Sequence, residues 1–404
     1  MKTGISLYLS SGAQATREVL ARAAASGVSL VFTSLHIPED AGGISLSDAK
    51  DLIEQVRSAK MELMVDVGPE TCSLLGCQSV EDLAALGITS IRLDYGFTHN
   101  EVAELSHTFR IVCNASTVSR EDIRAWKAAG ADLSRFTACH NYYPKPLTGL
   151  SMSDLRQINE RLNAWGLEVL AFVPGDGERR GPLHEGLPTI EVHRAHPEML
   201  AEQALDLVYQ GGCDGVIVGD IGLSTNSWNR MAQISQGFVD LRCEFESGFE
   251  YLDGQIHHDR PDSSSYVFRS QESRSTLRTV ASSAYVDASD SEPFVCAQCA
   301  DSDMQPADLG AQAACVQPVV AGSQPVGVST QSVDSSVQRT CARPQGTISI
   351  ANADYLRYEG EFEIARQDLA GDPRQMLAGR VCAQDLHLLK LVRSGFGIRF
   401  KRVE

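Results

Sequence analysis

Through about residue 240 the chain alternates short apolar runs with polar breaks and longer segments whose apolar residues recur every three or four positions. The runs lie at 5–9, 30–33, 62–65, 90–93, 110–113, 135–139, 168–172 and 215–218. Their near-continuous apolar character predicts strands buried on both faces. The longer segments carry helix signals. Ser45-x-x-Asp48, Ser119-x-x-Asp122 and Ser151-x-x-Asp154 each place a hydroxyl and a carboxylate where a capping box needs them. Ala49, Leu52, Ile53, Val56 and Ala59 then share one face, as do Leu155, Ile158 and Leu162. Pro197 is expected at the first position of a further helix. Gly87, Gly130, Gly166 and Gly211 follow helical segments, where a left-handed cap favours glycine.

Eight strand–helix units predict an α/β fold, a (β/α)₈ TIM barrel over residues 1–240. The alternative is an open doubly wound sheet. No Gly-x-Gly-x-x-Gly follows the first strand, so a dinucleotide-binding version has no fingerprint.

From about Leu241 the helical rhythm stops. Short apolar segments at 245–249, 266–268, 348–350, 358–364 and 397–400 predict a smaller, mostly β domain over 241–404. It is interrupted at about 280–343 by a stretch rich in Ser, Ala, Gln, Pro and Asp, which is expected to be largely disordered because it has too few large apolar residues to offset chain entropy. Cys296-x-x-Cys299, Cys315 and Cys341 lie there. One CxxC pair with loose later spacing is a weak zinc pattern, so no metal is expected.

A formal charge of −17 argues against a nucleic-acid surface. No apolar run is long enough to span a bilayer, and the N-terminus reads as a first strand rather than a signal peptide. Eleven scattered cysteines fit reduced thiols of a cytoplasmic protein better than a disulfide framework.

The chemistry of a barrel of this kind sits at the C-terminal ends of its strands. Those ends carry Asp66, Asp94, Asn114, then His140, Asn141, Tyr142, Tyr143 and Lys145, and finally Asp220. After the seventh strand comes a long Gly- and Pro-punctuated connection holding Arg179, Arg180, Glu185, Glu191, His193 and Arg194. A connection of that length is a lid or binding loop, and Leu183, Leu187 and Ile190 are expected to anchor it. Asp66 and Asp220 read equally well as helix caps, and Arg179-Arg180 as a solvated loop tip. Two carboxylates across a barrel mouth are what glycoside hydrolysis needs, and nearby cations suit an anionic substrate.

At these residues the chain resembles the bacterial 6-phospho-N-acetylmuramidase family. The likeness rests on Ile5-Ser6-Leu7-Tyr8, Val65-Asp66-Val67-x-Pro69-Glu70, Arg92-Leu93-Asp94-x-Gly96-Phe97, Asn114-Ala115-Ser116, His140-Asn141-x-Tyr143-Pro144, Glu185-Gly186-Leu187-Pro188-Thr189 and His193-Arg194. It continues through Arg260-Pro261-Asp262, Arg269-Ser270 and Tyr355-x-Arg357-Tyr358-x-Gly360-Glu361. The resemblance implies a barrel joined to a cyclophilin-like domain, and cytoplasmic hydrolysis of the β-1,4 bond of N-acetylmuramic acid 6-phosphate–N-acetylglucosamine in cell-wall recycling, without a cofactor. On that reading Asp94 and Glu185 form the catalytic pair, with Asp66, Glu191 and Asp220 as competitors. Asn114, His140, Asn141 and Tyr143 orient sugar groups, Lys145 and Arg194 hold the phosphate, and His193 belongs to the same binding set. The rivals are another phosphosugar-converting barrel enzyme, an isomerase or lyase, and a non-catalytic sugar-phosphate binder. A homo-oligomer is compatible with all three. The chain departs from the family in Leu9-Ser10, where Pro-Glu is expected, in the Arg179-Arg180 pair and in the long insertion.

Overall fold

A computed structural model of the protein describes residues 1–8, 11–34, 46–68, 71–93, 96–273 and 342–403. Strands β1 (Lys2–Ser6), β2 (Leu30–Ser34), β3 (Glu62–Val67), β4 (Ser90–Leu93), β5 (Arg110–Asn114), β6 (Phe136–Cys139), β7 (Glu168–Val173) and β8 (Gly215–Val218) pair in sequential order as a closed parallel barrel. The barrel closes where β1 meets β8, from Lys2 opposite Gly215 to Ile5 opposite Val218. Around it lie α1 (Ala13–Ala25), α2 (Leu46–Ser58), α3 (Thr71–Leu75), α4 (His99–Ser106), α5 (Arg120–Ala128), α6 (Met152–Ala164), α7 (Leu200–Tyr209) and α8 (Thr225–Ser235). The (β/α)₈ TIM barrel is therefore present. The first strand runs earlier than the apolar run at 5–9.

Two apolar layers follow from the period-2 alternation of each strand. Leu30, Phe32, Met64, Val112, Cys139, Leu170, Phe172 and Ile217 fill the barrel. Their neighbours Val31, Val65, Ile111, Ala138, Val169 and Val216 face outward into the helix layer with Leu52, Leu105, Leu155 and Leu205. A polar residue continuing the first register ends at the mouth, and one continuing the second ends beneath the helices.

The helix ends follow local chemistry. Ser119 and Asp122 form the capping box of α5, a device worth about 1 kcal/mol. Ser151 caps α6 by accepting from the Asp154 N–H at 3.1 Å. Ser45 lies outside the described residues. Helix α7 begins at Leu200 and not at Pro197, because the Met199 N–H closes a turn on the His196 carbonyl at 3.0 Å. After α7 the left-handed residue is Gly212, not Gly211, with φ of 75°.

The remaining strands form one seven-stranded sheet: β9 (Phe238–Phe245), β10 (Ile256–His258), β11 (Val267–Arg269), β12 (Thr347–Ala351), β13 (Phe362–Ala365), β14 (Gln375–Val381) and β15 (Gly397–Arg402), in the order β10-β15-β9-β14-β12-β13-β11. All pairs are antiparallel except β9 with β15. The mostly β unit thus opens at Phe238, and the run expected at 245–249 is the end of β9 and the turn after it. A short helix, α9 (Leu386–Leu391), packs on α7, with His387 bonded to Glu202 at 2.7 Å and Tyr209 edge-on to Phe396.

Most of the stretch expected to be disordered, including Cys296, Cys299, Cys315 and Cys341, lies outside the described residues. Cys72, Cys77, Cys113, Cys139, Cys213, Cys243 and Cys382 are free thiols. Among the described residues no helix is long and apolar enough to cross a membrane, and no His, Cys, Asp and Glu side chains cluster as a metal site.

Candidate active site

The mouth is built from residues that continue the inward register. Asp66 follows Met64, Arg92 lies in β4 between outward Ile91 and Leu93, Asn114 follows Val112, and Asn141 follows Cys139. A charged residue inside an apolar strand must meet a partner where the strand ends. Arg92 does so: its guanidinium donates to Asp66 at 3.0 Å and also to the Asn141 side-chain oxygen. Both Asp66 and Arg92 are buried. Asn114 turns its side-chain oxygen back to the Ser116 N–H at 3.0 Å, which leaves its amide nitrogen for another acceptor.

Arg180 forms the second part of the mouth. It is not at a solvated loop tip: the residue is 9% exposed. Its guanidinium lies 4.1 Å from the centre of the Tyr8 ring and donates to the Tyr142 hydroxyl at 2.9 Å. Tyr142 packs edge-on against Phe32 and Phe172, the upper layer of the barrel interior. Tyr8 donates to the Gly219 carbonyl at 2.7 Å. Burial pushes both phenols above their ordinary range, so both remain protonated donors.

The long connection after β7 is held down by two carboxylates. Asp220 is 1% exposed and accepts the N–H groups of Gly175, Arg180 and Leu187 at 2.9, 3.1 and 3.1 Å. Burial pushes its carboxyl upward, against the pull of the three N–H groups. At Gly219 a Cβ would lie 2.5 Å from the Leu187 carbonyl oxygen, so only glycine lets the loop settle this close to β8. Leu187 and Ile190 are buried as anchors, whereas Leu183 is 49% exposed and anchors nothing.

Glu191 accepts the N–H groups of Leu147 and Gly149, both at 2.9 Å, and a bidentate pair from Arg194. The Arg194 guanidinium, with help from the two N–H groups, holds the carboxyl down at about 2. Arg194 spends its other N–H groups on the carbonyls of Glu185, Gly186 and Tyr143. The pair therefore joins the connection after β6 to the connection after β7. No N–H of Arg194 is left for a phosphate.

The remaining candidates divide. Glu185 is exposed, and among the described residues only its carbonyl is engaged. Asp94 lies outside the described residues. Tyr143 stands at the rim with its N–H on the Pro188 carbonyl, and the Lys145 side chain is exposed beside it. His140 continues the outward register of Phe136 and Ala138 and is fully buried under α6, where Nε2 meets the Asn159 side-chain oxygen at 2.7 Å. Burial pushes its imidazole down to about 4. His193 also points away from the mouth, toward α7, with Nε2 3.3 Å from Asp206. Tyr8 and Arg92 are mouth residues to which the sequence alone gave no site role, and Arg180, which read equally as a loop tip, joins them. The register of β4 is the signal that would have found Arg92.

Fold and site together define a two-domain barrel protein with an acidic, arginine-containing mouth at the C-terminal ends of its strands. The family models for 6-phospho-N-acetylmuramidase, N-terminal, and 6-phospho-N-acetylmuramidase, C-terminal, match residues 3–233 and 323–401. The chain belongs to the 6-phospho-N-acetylmuramidase family.

No curated protein matches it. Among solved structures it is similar to a conserved Enterococcus faecalis protein of unknown function, with 28% identity and a TM-score of 0.63 over 100% of this chain and 96% of that one. An uncharacterized B. cereus protein shares the fold, at 23% identity and a TM-score of 0.63 over 100% and 99% of the two chains.

Proposed function

We propose that this protein is a glycoside hydrolase that cleaves the β-1,4 bond of N-acetylmuramic acid 6-phosphate–N-acetylglucosamine, acting in the cytoplasm in peptidoglycan recycling. The observation that carries the reading is the family match over both parts of the chain. The mouth geometry supports it and narrows the roles.

Cleavage needs one carboxylic acid to protonate the leaving oxygen and one carboxylate to attack or to activate water. A carboxylate whose lone pairs are filled by main-chain N–H groups is poorly suited to either task. That removes Glu191 and Asp220 from the proposed pair and gives them the loop-holding role. Asp66 is committed to Arg92 and serves to orient it. Glu185, with its carboxylate unengaged among the described residues, and Asp94 are the proposed pair. Arg92, Asn141 and the Asn114 amide would orient sugar hydroxyls and the N-acetyl group, with Tyr143 at the rim. Lys145 and Arg180 take over the anion-binding role expected of Arg194. His140 and His193 are placed outside the proposed substrate contacts.

The test is incubation of the purified protein with the 6-phosphorylated disaccharide and with its unphosphorylated counterpart, with products read by mass spectrometry. Cleavage confined to the phosphorylated compound supports the reading. Isomerised or eliminated products without added water point to the isomerase or lyase class. Binding without turnover points to a sugar-phosphate binding protein.

A further inference from the structure

The described cysteines divide by place. Cys113, Cys139, Cys213 and Cys243 are buried, whereas Cys72, Cys77 and Cys382 are partly exposed. Cys72 and Cys77 stand at the two ends of one helix-terminating motif. Helix α3 stops at Gly76, which is left-handed with φ of 68°. The Cys77 N–H donates to the Cys72 carbonyl at 2.9 Å, and the Gly76 N–H to the Ser73 carbonyl at 3.3 Å. These two bonds and the left-handed glycine make a Schellman motif, in which the side chains of the first and last residues commonly meet. The covalent lengths on either side of a 2.9 Å bond hold the two Cα atoms within about 6.8 Å, and a disulfide spans about 4.4–6.8 Å. The next turn is fixed as well: the Gln78 and Ser79 N–H groups donate to the Asp82 carboxylate at 2.9 and 3.1 Å. Cys77 is thus held from both sides.

Nearness alone does not make such a pair. Cys113 and Cys139 lie on neighbouring strands, with Cys113 opposite Ala138. Cys113 faces the helix layer and Cys139 the barrel interior, so their Cβ atoms point apart and no bridge can form. Both are also buried away from any oxidant.

We propose that Cys72 and Cys77 are a modification site, a thiol pair that a small-molecule disulfide converts reversibly to an intramolecular disulfide. One cysteine thiolate attacks a sulfur of the small disulfide, whose S–S bond breaks and releases one small thiol. The second cysteine thiolate attacks the protein-bound sulfur, and the mixed S–S bond breaks to release the other small thiol. The protein thiols lose two electrons and two protons, and the small disulfide gains both. Burial pushes both thiols above their ordinary range, with Cys77 and Asp82 adding to it at Cys72 and Asp82 at Cys77. Exchange is therefore followed at about pH 8, where the thiolate fraction is larger than at neutrality. The pair sits on the helix that directly follows β3, the strand of Asp66. It is separate from the proposed hydrolysis and does not depend on it.

The experiment equilibrates the reduced full chain with mixtures of glutathione and glutathione disulfide, once folded and once in urea. Acid quench, alkylation and trypsin digestion follow. Residues 61–92 form one tryptic peptide that holds these two cysteines and no other. From the folded chain this peptide is expected to escape alkylation and to lose about two mass units, the two thiol hydrogens. The ratio of squared thiol to disulfide concentration at half-oxidation reports how well the two sulfurs are placed. It is expected to be at least about tenfold higher for the folded chain than for the unfolded one, because the fold already closes the loop between the cysteines. Gly76→Val, which strains the left-handed position, is expected to bring the folded ratio down severalfold with both sulfurs intact. Cys77→Ser is expected to leave only a glutathione adduct on Cys72. The proposal is overturned if the folded peptide stays open to alkylation in excess glutathione disulfide or carries two glutathiones. Equal ratios for the folded and unfolded chains overturn it too. Because no disaccharide is used, failure here leaves the proposed hydrolysis untouched.

Discussion

Two carboxylate-centred networks flank the barrel mouth, and their partners differ. Around Asp220 and Glu191 the donors are mainly backbone N–H groups of the connections after β6 and β7. Around Asp66 the partners among the described residues are side chains, Arg92 and through it Asn141, beside the Arg180–Tyr142–Tyr8 stack. Main-chain donors cannot turn away without moving the loop, so the first network fixes shape. Side-chain donors can exchange a protein oxygen for a ligand oxygen at small cost, so the second is suited to binding. Residue type does not separate the two kinds of acid; the donors around them do.

The comparison is tested first where the largest effect is expected. Glu185→Gln removes a carboxylate that has no described side-chain partner, so it should lower the rate of disaccharide cleavage by about 10²–10⁴-fold. Its unfolding free energy should stay within about 0.5 kcal/mol of the parent. Rate and denaturant midpoint measured on one preparation check both halves. A variant that is active but unstable would place Glu185 in the shape-fixing network.

Asp220→Ala should show the reverse pattern. It strands three N–H groups under the loop and is expected to destabilise the fold by about 3 kcal/mol or more. Urea unfolding gives the number. Hydrogen exchange should speed up at Gly175, Arg180 and Leu187 and remain unchanged in β3 and β4.

His140 tests whether the outward register really removes a residue from the mouth. Its buried ring titrates at about 4 instead of 6.5. Between those values the unfolded chain binds a proton that the folded chain refuses. Stability therefore falls as the pH drops from about 6.5 to about 4, by up to about 3 kcal/mol for this group. His140→Gln keeps an N–H for Asn159 and abolishes the titration. The pH slope of its unfolding free energy should be shallower over that interval, and its cleavage rate should stay near that of the parent.

The smallest effect is at Glu191→Gln, with an expected loss of about 1–2 kcal/mol at neutral pH from weakened charged hydrogen bonds. The folded carboxyl is depressed from 4.5 to about 2. Its contribution is complete above the unfolded value and is lost as the pH falls through the folded one. Parent and variant should therefore converge between about 4.5 and 2 in acid-unfolding curves.

Much of the architecture was legible along the chain. The apolar runs mark all eight barrel strands, and the caps at Ser119 and Ser151 mark two helix starts, because these depend on contacts within a few residues. In the β unit, β10 and β14 gave little signal. Ile256–His258 is short, and β14 contains Gly379 and Arg380. Those strands exist because neighbours hydrogen-bond them, not because their own pattern demands it.

The site divides in the same way. That carboxylates, amides and arginines would gather at the strand ends follows from sequence and the rule of the barrel alone. Strand parity, also written in the sequence, sorts Asp66, Arg92, Asn114 and Asn141 inward and His140 outward. Only the tertiary structure decided that Arg194 spends itself on Glu191 and on backbone carbonyls, that Arg180 folds down onto Tyr8, and that His193 turns its back to the mouth. The reason is physical: a long side chain on a loop takes its partner from whatever the packed loops bring within about 3 Å, and no local spacing in the chain encodes that distance.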